Sequence, residues 1–435
     1  MKYREINKSL SLGEIDTKGL LPHLELLQES SFIFRMDFGL DELPEEPGVI
    51  LVRGARQYGK STWIEQQVRH SIKKFGPGSA YYLNGDEIKN EEALIEAVLE
   101  LLPLFDTRAP VHRLFIDEIT AIGNWQKGMK HLLDGGDLRH VLVVTTGSKA
   151  ADLRRGSERL PGRKGKLDRT QFLFTSLPYA EFKRVCGSRL GDRILPAYII
   201  SGGSPVACSE LATRGCLPEY VIEMTRDWIY GEFAATTRSR ASLLGVLECL
   251  HRFGGTPVGQ AKLAREAGLS NNTIAAGYIE LLKDLLCVSS AHPWDENRRK
   301  ANKRRPCKFH MINLLAAVAW HPSRIRSIQD FVDLSPEEQG CLMEWTVAQE
   351  IWRRSAVRGD EMPEEMVFWQ SKKNEIDFVV DNSSFIEVKR GKANPVDFSW
   401  FPQSFPKGFL TVINENSFST DRVKGVTLEE FLLSS

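Results

Sequence analysis

The segment GARQYGKST, residues 54–62, combines residue types and a spacing that could bind the phosphates of a nucleotide. It fits the pattern G-x-x-x-x-G-K-[ST], in which the glycines allow positive φ angles and let backbone N–H groups close on phosphate oxygens. Lys60 can reach the terminal phosphates, and the hydroxyl of Ser61 can bind Mg²⁺. The alternative is a chance match, a glycine turn that happens to carry a lysine. The predicted nucleotide contacts in this segment are Gly54, Gln57, Gly59, Lys60, Ser61 and Thr62.

The residues on either side of this loop predict the elements that would position it. The apolar run GVILV before the loop predicts a short buried strand. After the loop, Ile64, Val68 and Ile72 have the spacing of one helix face. Such a helix would direct its positive N-terminal end at the phosphates.

A second polar site follows the apolar run in RLFIDEI. Residues 114–116 predict a buried strand that ends at Asp117 and Glu118. Asp117 would hold Mg²⁺ through water, and Glu118 would activate the water that attacks the terminal phosphate. These acids lie about 55 residues after the lysine, an interval that suits a βαβα nucleotide-binding sheet.

A third predicted strand, VLVVTTGSK, also ends in polar side chains. Ser148 could donate a hydrogen bond to the γ-phosphate or to the attacking water. The alternative for each polar residue here, Thr145 and Thr146 included, is a simple cap of the strand end. Among the arginines that follow, we expect Arg163 to approach the γ-phosphate, where an arginine stabilises the transition state.

Acids and a lysine alternate with apolar residues near the C-terminus, in EIDFVVDNSSFIEVK. The pattern predicts a hairpin-like pair of strands, with Asp377 in the first and Glu387 and Lys389 on one side of the second. Two carboxylates and a lysine can bind Mg²⁺ and polarise a water for phosphodiester cleavage. A preceding amphipathic helix could add Glu344 or Glu350 as a further metal ligand. The alternative is a cross-strand salt bridge in a structural sheet.

Between these regions, two short predicted helices are joined by a turn and followed by a strand and a basic run. One helix covers residues 263–267 and the next starts at Asn271, an arrangement typical of a helix-turn-helix. The basic run RRKANKRR, residues 298–305, falls where the wing of a winged helix is expected. One interpretation is DNA contact, mostly nonspecific and through phosphates, because the second helix has no basic residue before Lys283. The other is a winged helix used only for packing between domains.

Length and composition set limits on these interpretations. The chain has 435 residues, enough for about two to four domains. Basic and acidic residues balance at 57 each, so any nucleic-acid contact must come from a local patch. The seven cysteines form no CxxC pair and no zinc-ligand spacing. The start lacks an apolar signal region and no apolar stretch reaches the ~20 residues of a membrane span, so we predict a cytoplasmic protein without a membrane partner.

The chain carries in order the segments GARQYGKST, FIDEI, TTGSKAADLRRGSERLPGR, LPYAEF, YIISGGSP and FIEVK. In this it resembles a large prokaryotic group, the AAA-superfamily ATPases with a winged helix and a C-terminal domain of unknown function similar to PD-(D/E)xK nucleases. Lys149 replaces the second serine that this group commonly has after Ser148. The resemblance implies nuclease-fold positions at Asp377, Glu387 and Lys389, with Glu344 as the matching helix acid. It implies binding of ATP and Mg²⁺ by Gly54, Gly59, Lys60, Ser61, Asp117 and Glu118.

We therefore expect an α/β protein with a P-loop, AAA-type parallel sheet domain, a winged helix and a C-terminal α/β domain similar to restriction endonucleases. The hypothesis is a Mg²⁺-dependent ATPase that couples its nucleotide state to the other domains and acts on DNA. A homo-oligomer and a protein partner are both possible. The alternative is a nucleotide-dependent switch that binds partner proteins and has a catalytically inactive nuclease fold. The expected boundaries are 1–178 for the ATPase domain with an N-terminal extension, 179–238 for a helical lid, 239–310 for the winged helix and 311–435 for the nuclease-like domain.

Overall fold

Apolar segments of the N-terminal half form a five-stranded β-sheet in the computed structural model, which describes residues 3–148 and 165–434. The strands are β1 (Gly48–Gly54), β2 (Ala80–Asn84), β3 (His112–Asp117), β4 (Val141–Gly147) and β5 (Gln171–Phe174). Their order is β2-β3-β4-β1-β5, and all pairings are parallel. Central parallel strands are buried on both faces, which is why they can be recognised in the sequence as continuous apolar runs. The predicted parallel sheet is confirmed.

Helices alternate with these strands along the chain, as parallel pairing requires. The helix that follows the glycine loop begins at Lys60 and buries Trp63, Ile64 and Val68, so the helix predicted from apolar spacing is confirmed. The helices of this region are α1 (Tyr3–Leu12), α2 (Pro22–Glu29), α3 (Lys60–Phe75), α4 (Glu91–Leu101) and α5 (Trp125–Gly135).

The edge strand β2 is capped by a side chain of α1. The amide of Asn7 donates from Nδ2 to the backbone oxygen of Tyr82 at 2.7 Å, and its Oδ1 accepts from the Tyr82 N–H at 2.8 Å. Asn7 is fully buried, and it occupies the two backbone groups that a further strand would use. Helix α1 therefore protects this edge of the sheet by hydrogen bonding as well as by packing.

The chain divides into two units. The first comprises the described residues up to Thr175 together with Ala356–Gly359, and the second comprises Ser176–Ser355 and the described residues from Asp360 onward. In the part of the chain that the structure describes, no helix is both long and apolar enough to span a bilayer.

The second unit opens with helices and continues with the elements predicted as a helix-turn-helix. Asn271 caps the second of the two predicted helices, because its Oδ1 accepts from the backbone N–H of Ile274 at 3.0 Å. The winged-helix assignment itself stays a prediction. The helices are α6 (Tyr179–Leu190), α7 (Ile194–Ser201), α8 (Pro205–Arg214), α9 (Glu219–Ala235), α10 (Arg240–Arg252), α11 (Gln260–Glu266) and α12 (Asn272–Asp284).

Strands and further helices complete this unit. The strands are β6 (Val288–Asp295), β7 (Lys300–Ala301), β8 (Lys308–Met311), β9 (Glu365–Gln370), β10 (Glu375–Ile376), β11 (Phe378–Val379), β12 (Ser384–Val388), β13 (Phe409–Ile413), β14 (Phe418–Ser419) and β15 (Val423–Val426). The helices are α13 (Leu314–Ala319), α14 (Ile328–Val332), α15 (Pro336–Arg358), α16 (Phe401–Ser404) and α17 (Leu428–Leu433).

These strands form two sheets. In one, the order is β10-β9-β6-β7, with β8 also paired to β6. In the other, the order is β11-β12-β13-β15-β14. The boundary expected between residues 310 and 311 falls inside β8, and β6 pairs both with β8 and with β9. The division into four domains stays a prediction.

An ion pair joins α2 to α3 in the first unit. Nδ1 of His23 lies 2.6 Å from Oε1 of Glu65, and Oε2 of the same carboxylate accepts from the Leu24 N–H at 3.0 Å. The hydrogen bond to Glu65 raises the pKa of His23 above its ordinary value, although burial acts in the opposite direction. When protonated, the imidazole of His23 is the counter-ion of the buried Glu65 carboxylate.

We expect the variant His23→Gln to lose stability at acid pH more than at alkaline pH. A histidine whose folded-state pKa is raised stabilises the fold below its unfolded-state pKa, and this contribution is lost as the pH rises through the folded-state value. The measurement is the melting temperature of wild type and variant from about pH 6 to 9, a range that spans histidine titration. A difference in melting temperature that stays constant across this range contradicts the ion-pair assignment.

Candidate functional sites

The glycine loop lies between β1 and α3 and has a backbone that few residue types allow. A Cβ on Gly54 would lie 2.7 Å from the backbone oxygen of Phe174 on β5, so only glycine fits there. Gln57 and Gly59 both have positive φ, +61° and +101°. Alternation of left-handed and ordinary residues turns successive N–H groups toward a common point, which makes an anion-binding concavity. The loop therefore has the conformation that phosphate binding requires.

Lys60 lies buried in this loop. Its Nζ donates hydrogen bonds to the backbone oxygens of Gly54 at 2.9 Å and Ala55 at 2.7 Å. Burial lowers the pKa of Lys60 to about 8, although the carboxylates of Glu118 and Asp117 act in the opposite direction. An anion bound in the loop would favour the charged form of this lysine.

The two acids predicted at the end of β3 lie there, next to the end of β4. The carboxylate of Asp117 accepts a short hydrogen bond from the Thr146 hydroxyl, and the same hydroxyl oxygen accepts from the Glu118 N–H at 3.0 Å. Glu118 itself has a positive φ of +48°. The threonine thus holds both acids, a role that the sequence pattern did not distinguish from a strand-end cap.

The carboxylate of Glu118 is anchored through one oxygen. Oε1 accepts from the backbone N–H and the hydroxyl of Ser148, both at 2.9 Å, and from the hydroxyl of Thr120 at 2.5 Å. Burial alone would raise the pKa of Glu118, but these hydrogen bonds and the charge of Lys60 lower it below its ordinary value. Glu118 is therefore ionised at neutral pH. Thr120 was not among the predicted site residues, although it stands only two positions after Glu118.

The structure brings most of the predicted ATP-site residues together. Because β3, β4 and β1 are neighbours, their carboxyl ends place Asp117, Glu118 and Ser148 beside the glycine loop. Ser61 and Thr62 are half-buried in the first turn of α3. Arg163, predicted to approach the γ-phosphate, lies outside the described residues, as does Lys149.

The predicted C-terminal hairpin is present, since β11 pairs antiparallel with β12. Asp377, predicted within the first strand, lies between β10 and β11, and Lys389 follows the end of β12. Nζ of Lys389 lies 2.5 Å from Glu387 Oε1. The backbone N–H of Asp377 donates to Glu387 Oε2 at 3.2 Å. Glu344, on α15, is paired with His310 Nε2 at 3.0 Å. The predicted acids Glu344, Asp377 and Glu387 therefore lie in one cluster together with Glu375, which was not predicted. We call these four residues the carboxylate cluster.

The alternative helix acid, Glu350, belongs to a different group. Its carboxylate accepts from Arg353 Nε at 2.9 Å and from Arg354 Nε at 2.6 Å, so it is a partner of arginines and not a member of the cluster. Lys308 and His310 stand on β8 and were not predicted as site residues. Lys308 contacts Asp377, and His310 contacts Glu344. Their only sequence signal was a polar residue alternating with apolar ones in KFHM.

The residues of this cluster do not fit a divalent metal ion. Lys308 Nζ lies 2.9 Å from Asp377 Oδ1 and also contacts Glu375. Burial alone would lower the pKa of Lys308, but the surrounding carboxylates raise it above its ordinary value. In residues 3–148 and 165–434, no group of three or more histidine, cysteine, aspartate or glutamate side chains is arranged to hold a metal ion. The expected metal ligation by Glu344, Asp377 and Glu387 therefore lacks support.

Residues 46–180 match a protein-family model described as an AAA domain. The matched stretch contains the strands of the parallel sheet and every residue of the predicted ATP site. Residues 46–180 are therefore similar to AAA domains, as the resemblance implied for this region.

A curated relative is an uncharacterized protein of Methanocaldococcus jannaschii, with 28% identity over 113 residues. The aligned part is 25% of this chain and covers 23% of that protein's length. Among solved structures, the Walker-type ATPase of Pyrococcus abyssi is similar at 14% identity and a TM-score of 0.41, over 70% of this chain and 95% of that one. The Orc1 protein of Aeropyrum pernix, solved in complex with DNA, is similar at 14% identity and a TM-score of 0.30, over 74% and 92%. At such TM-scores these structures carry no information on the function of this chain.

Proposed function

We propose that this chain is an ATPase that binds ATP and Mg²⁺ at the glycine loop and hydrolyses the terminal phosphate bond. The observation that carries the proposal is the position of Lys60, Glu118 and Ser148 at the carboxyl ends of neighbouring strands in one AAA domain. Ligands of open α/β sheets bind at this edge. The positive φ angles of the loop and the N-terminus of α3 supply the backbone N–H groups that phosphates need.

The oxygen donors at this edge suit Mg²⁺. The hydroxyl of Ser61 and the buried carboxylate of Asp117 are hard oxygen ligands, and Mg²⁺ usually binds through one or two such groups together with water and phosphate oxygens. Oδ2 of Asp117 lies 3.5 Å from the Tyr82 hydroxyl, at the limit of a hydrogen bond, and so has free acceptor capacity. When bound, Mg²⁺ would neutralise charge on the phosphates.

Glu118 has the geometry of a general base, since the described residues hold one of its carboxylate oxygens, Oε1. Ser148 and Thr120, among the described residues, direct three donors at Oε1, which fixes the orientation of the carboxylate. Oε2 is left to accept the proton of a water that attacks the terminal phosphate. Ser148 is thus proposed to position Glu118, while Lys60 and the loop backbone bind the phosphates.

The experiment that tests the ATPase proposal is turnover of radiolabelled ATP by the purified wild-type chain, with Mg²⁺ and with EDTA. We expect Mg²⁺-dependent release of phosphate. Folded protein that releases no more phosphate with Mg²⁺ than with EDTA contradicts the proposal.

We further propose that the nucleotide state is coupled to a winged helix, residues 239–310, and to a nuclease-like domain, residues 311–435, and that the chain contacts DNA phosphates. The support for DNA contact is the hairpin of β6 and β7, which carries the basic run. Arg298, Arg299, Arg304 and Arg305 on this run are exposed. Arg298 and Arg299 lie in the turn between β6 and β7, and Arg304 and Arg305 follow β7. Exposed arginines of this kind suit nonspecific binding to a phosphate backbone.

Replacing these four arginines with serine should weaken binding to random-sequence duplex DNA by at least tenfold at about 50 mM salt. The slope of log affinity against log salt should fall by about 3 to 4, because each phosphate contact contributes about 0.9. The measurement is fluorescence anisotropy of a labelled duplex at several salt concentrations.

A matched control removes the same amount of charge elsewhere. Serine replacement of four exposed lysines should leave both affinity and slope close to wild type; these are Lys8, Lys18, Lys73 and Lys130. Equal losses in both variants would mean that global charge, not the hairpin, determines binding. Unchanged affinity in the arginine variant would favour the interpretation of the hairpin as a packing element.

The second candidate function is a nucleotide-dependent switch that binds partner proteins and cuts nothing. One observation favours it over a nuclease, namely the buried Lys308 among the acids predicted to bind metal. Incubation of DNA with the chain and Mn²⁺ separates the two. Cleavage that is lost in Asp377→Ala supports the nuclease, and absence of cleavage for every substrate form supports the switch.

A further inference from the structure

We infer that the ammonium group of Lys308 is the resident cation of the carboxylate cluster, and that this cluster therefore does not take up a divalent metal. Lys308 stands on β8, 69 positions before Asp377, and its side chain is 1% exposed. Its Nζ donates to Asp377 Oδ1 at 2.9 Å, contacts Glu375 and lies 3.9 Å from Glu344 Oε1. The inference is independent of the ATP site.

The carboxylate oxygens that a metal would need already accept hydrogen bonds. Asp377 uses Oδ1 for Lys308 and Oδ2 for the Val388 N–H at 2.9 Å. Glu387 uses Oε1 for Lys389 and Oε2 for the Asp377 N–H. A carboxylate that binds a hard cation must direct lone pairs at it, so a metal here would have to break several of these bonds at once.

One oxygen of the third acid, Glu344, is also committed. Its Oε1 accepts from His310 Nε2, and His310 is completely buried on the same strand as Lys308. Strand β8 thus carries two nitrogen donors that are two residues apart, Lys308 and His310. Lys308 donates to Asp377, and His310 donates to Glu344 on α15. Side chains two apart on a strand point to the same face, which explains why both reach the cluster.

Lys308 is held in the cluster by a fixed backbone and by burial of its side chain. Its backbone is paired with Ala291 in the antiparallel ladder of β6 and β8, and the side chain has almost no exposure to water. Moving the ammonium out would leave a buried charge without its partners, which is strongly destabilising. A divalent ion added beside it would be repelled at close range. The single charge of Lys308 therefore takes the place that a metal occupies in a cleaving site.

The first test counts Mn²⁺ sites in the nucleotide-free wild-type chain by electron paramagnetic resonance. We expect wild type and Asp377→Asn to give the same titration, because no Mn²⁺ binds at Asp377. A site present in wild type and lost in Asp377→Asn overturns the inference. This comparison does not require a variant of Lys308 and so holds even if such variants fail to fold.

The second test is a thermodynamic cycle between Lys308 and Asp377. Lys308→Met should lower the melting temperature by roughly 10 °C, because it leaves buried acids without a cation. Adding Asp377→Asn to Lys308→Met should recover part of this loss, since one uncompensated charge is then gone.

A matched control is Lys389→Met, which removes a half-exposed cation from the same cluster and should lower the melting temperature by less than half as much. Mn²⁺ that raises the melting temperature of Lys308→Met but not of wild type would also support the inference, because removal of the ammonium makes the acids available. A melting temperature of Lys308→Met equal to that of wild type overturns it.

Discussion

Replacing Lys60 with methionine should weaken ATP binding by about 100-fold, because a charge-assisted hydrogen bond to phosphate contributes about 1.5–3 kcal/mol. The same variant should retain its fold. Methionine keeps most of the buried chain of Lys60 and removes a charge that burial disfavours. The shift of the Lys60 pKa from 10.5 to about 8 corresponds to a cost on the order of 3 kcal/mol at neutral pH. The variant gains this free energy of unfolding but loses about 1 kcal/mol for each of the two hydrogen bonds to Gly54 and Ala55. The net change in the free energy of unfolding should therefore stay below about 2 kcal/mol.

The pH dependence gives this prediction a second measurement. Between about pH 8 and 10.5 the unfolded chain holds a proton on Lys60 that the folded chain has lost, so the stability of wild type should rise across this window relative to Lys60→Met. Urea unfolding at several pH values measures this difference, and isothermal titration with ATP measures binding. Unchanged ATP affinity in a folded Lys60→Met variant rejects the assignment of the nucleotide site.

The variant Glu118→Gln should bind ATP normally and hydrolyse it about 10²- to 10⁴-fold more slowly, the usual contribution of a general base. Glutamine can still accept from Ser148 and Thr120 through its amide oxygen, so the local structure should persist. What it lacks is a second carboxylate oxygen to take a proton from water. Single-turnover hydrolysis, measured beside an equilibrium affinity for ATP, separates the two effects.

A control for Glu118→Gln is Glu92→Gln, which neutralises an exposed acid on α4 without touching the site. Its turnover should match that of wild type. Turnover of Glu118→Gln within threefold of the control would show that another group accepts the proton.

The ATP site could be predicted from the sequence because its signals are local. The loop and its lysine lie within nine residues, and the two acids follow directly after a buried apolar run. The parallel sheet then places these short segments side by side, since carboxyl ends of parallel strands meet at one edge. The roles of Thr146 and Thr120 were not predictable in this way, because a polar residue after a strand is equally suited to a cap.

The carboxylate cluster shows where such reasoning fails. The acids of the hairpin were correctly placed together by strand alternation. Lys308 is separated from Asp377 by 69 positions, and no periodicity connects a residue on β8 with one on the hairpin. Likewise, Glu344 and Glu350 fit the helix pattern equally well, and only tertiary packing shows that the second belongs with Arg353 and Arg354. The partners of the acids in this cluster are therefore set by contacts between elements that are distant in the sequence, which the spacing of the acids does not predict.

The amide of Asn7 against Tyr82 has a practical consequence for dissecting this molecule. A fragment that starts at β1, which would otherwise isolate the nucleotide site, would leave the backbone of β2 open to strand addition from a neighbouring molecule. Such a fragment would tend to form intermolecular sheets and to precipitate, and its loss of activity would say nothing about catalysis. Shortened versions used for enzymology should keep α1. If α1 is removed, a charged residue placed on β2 should discourage association in place of Asn7.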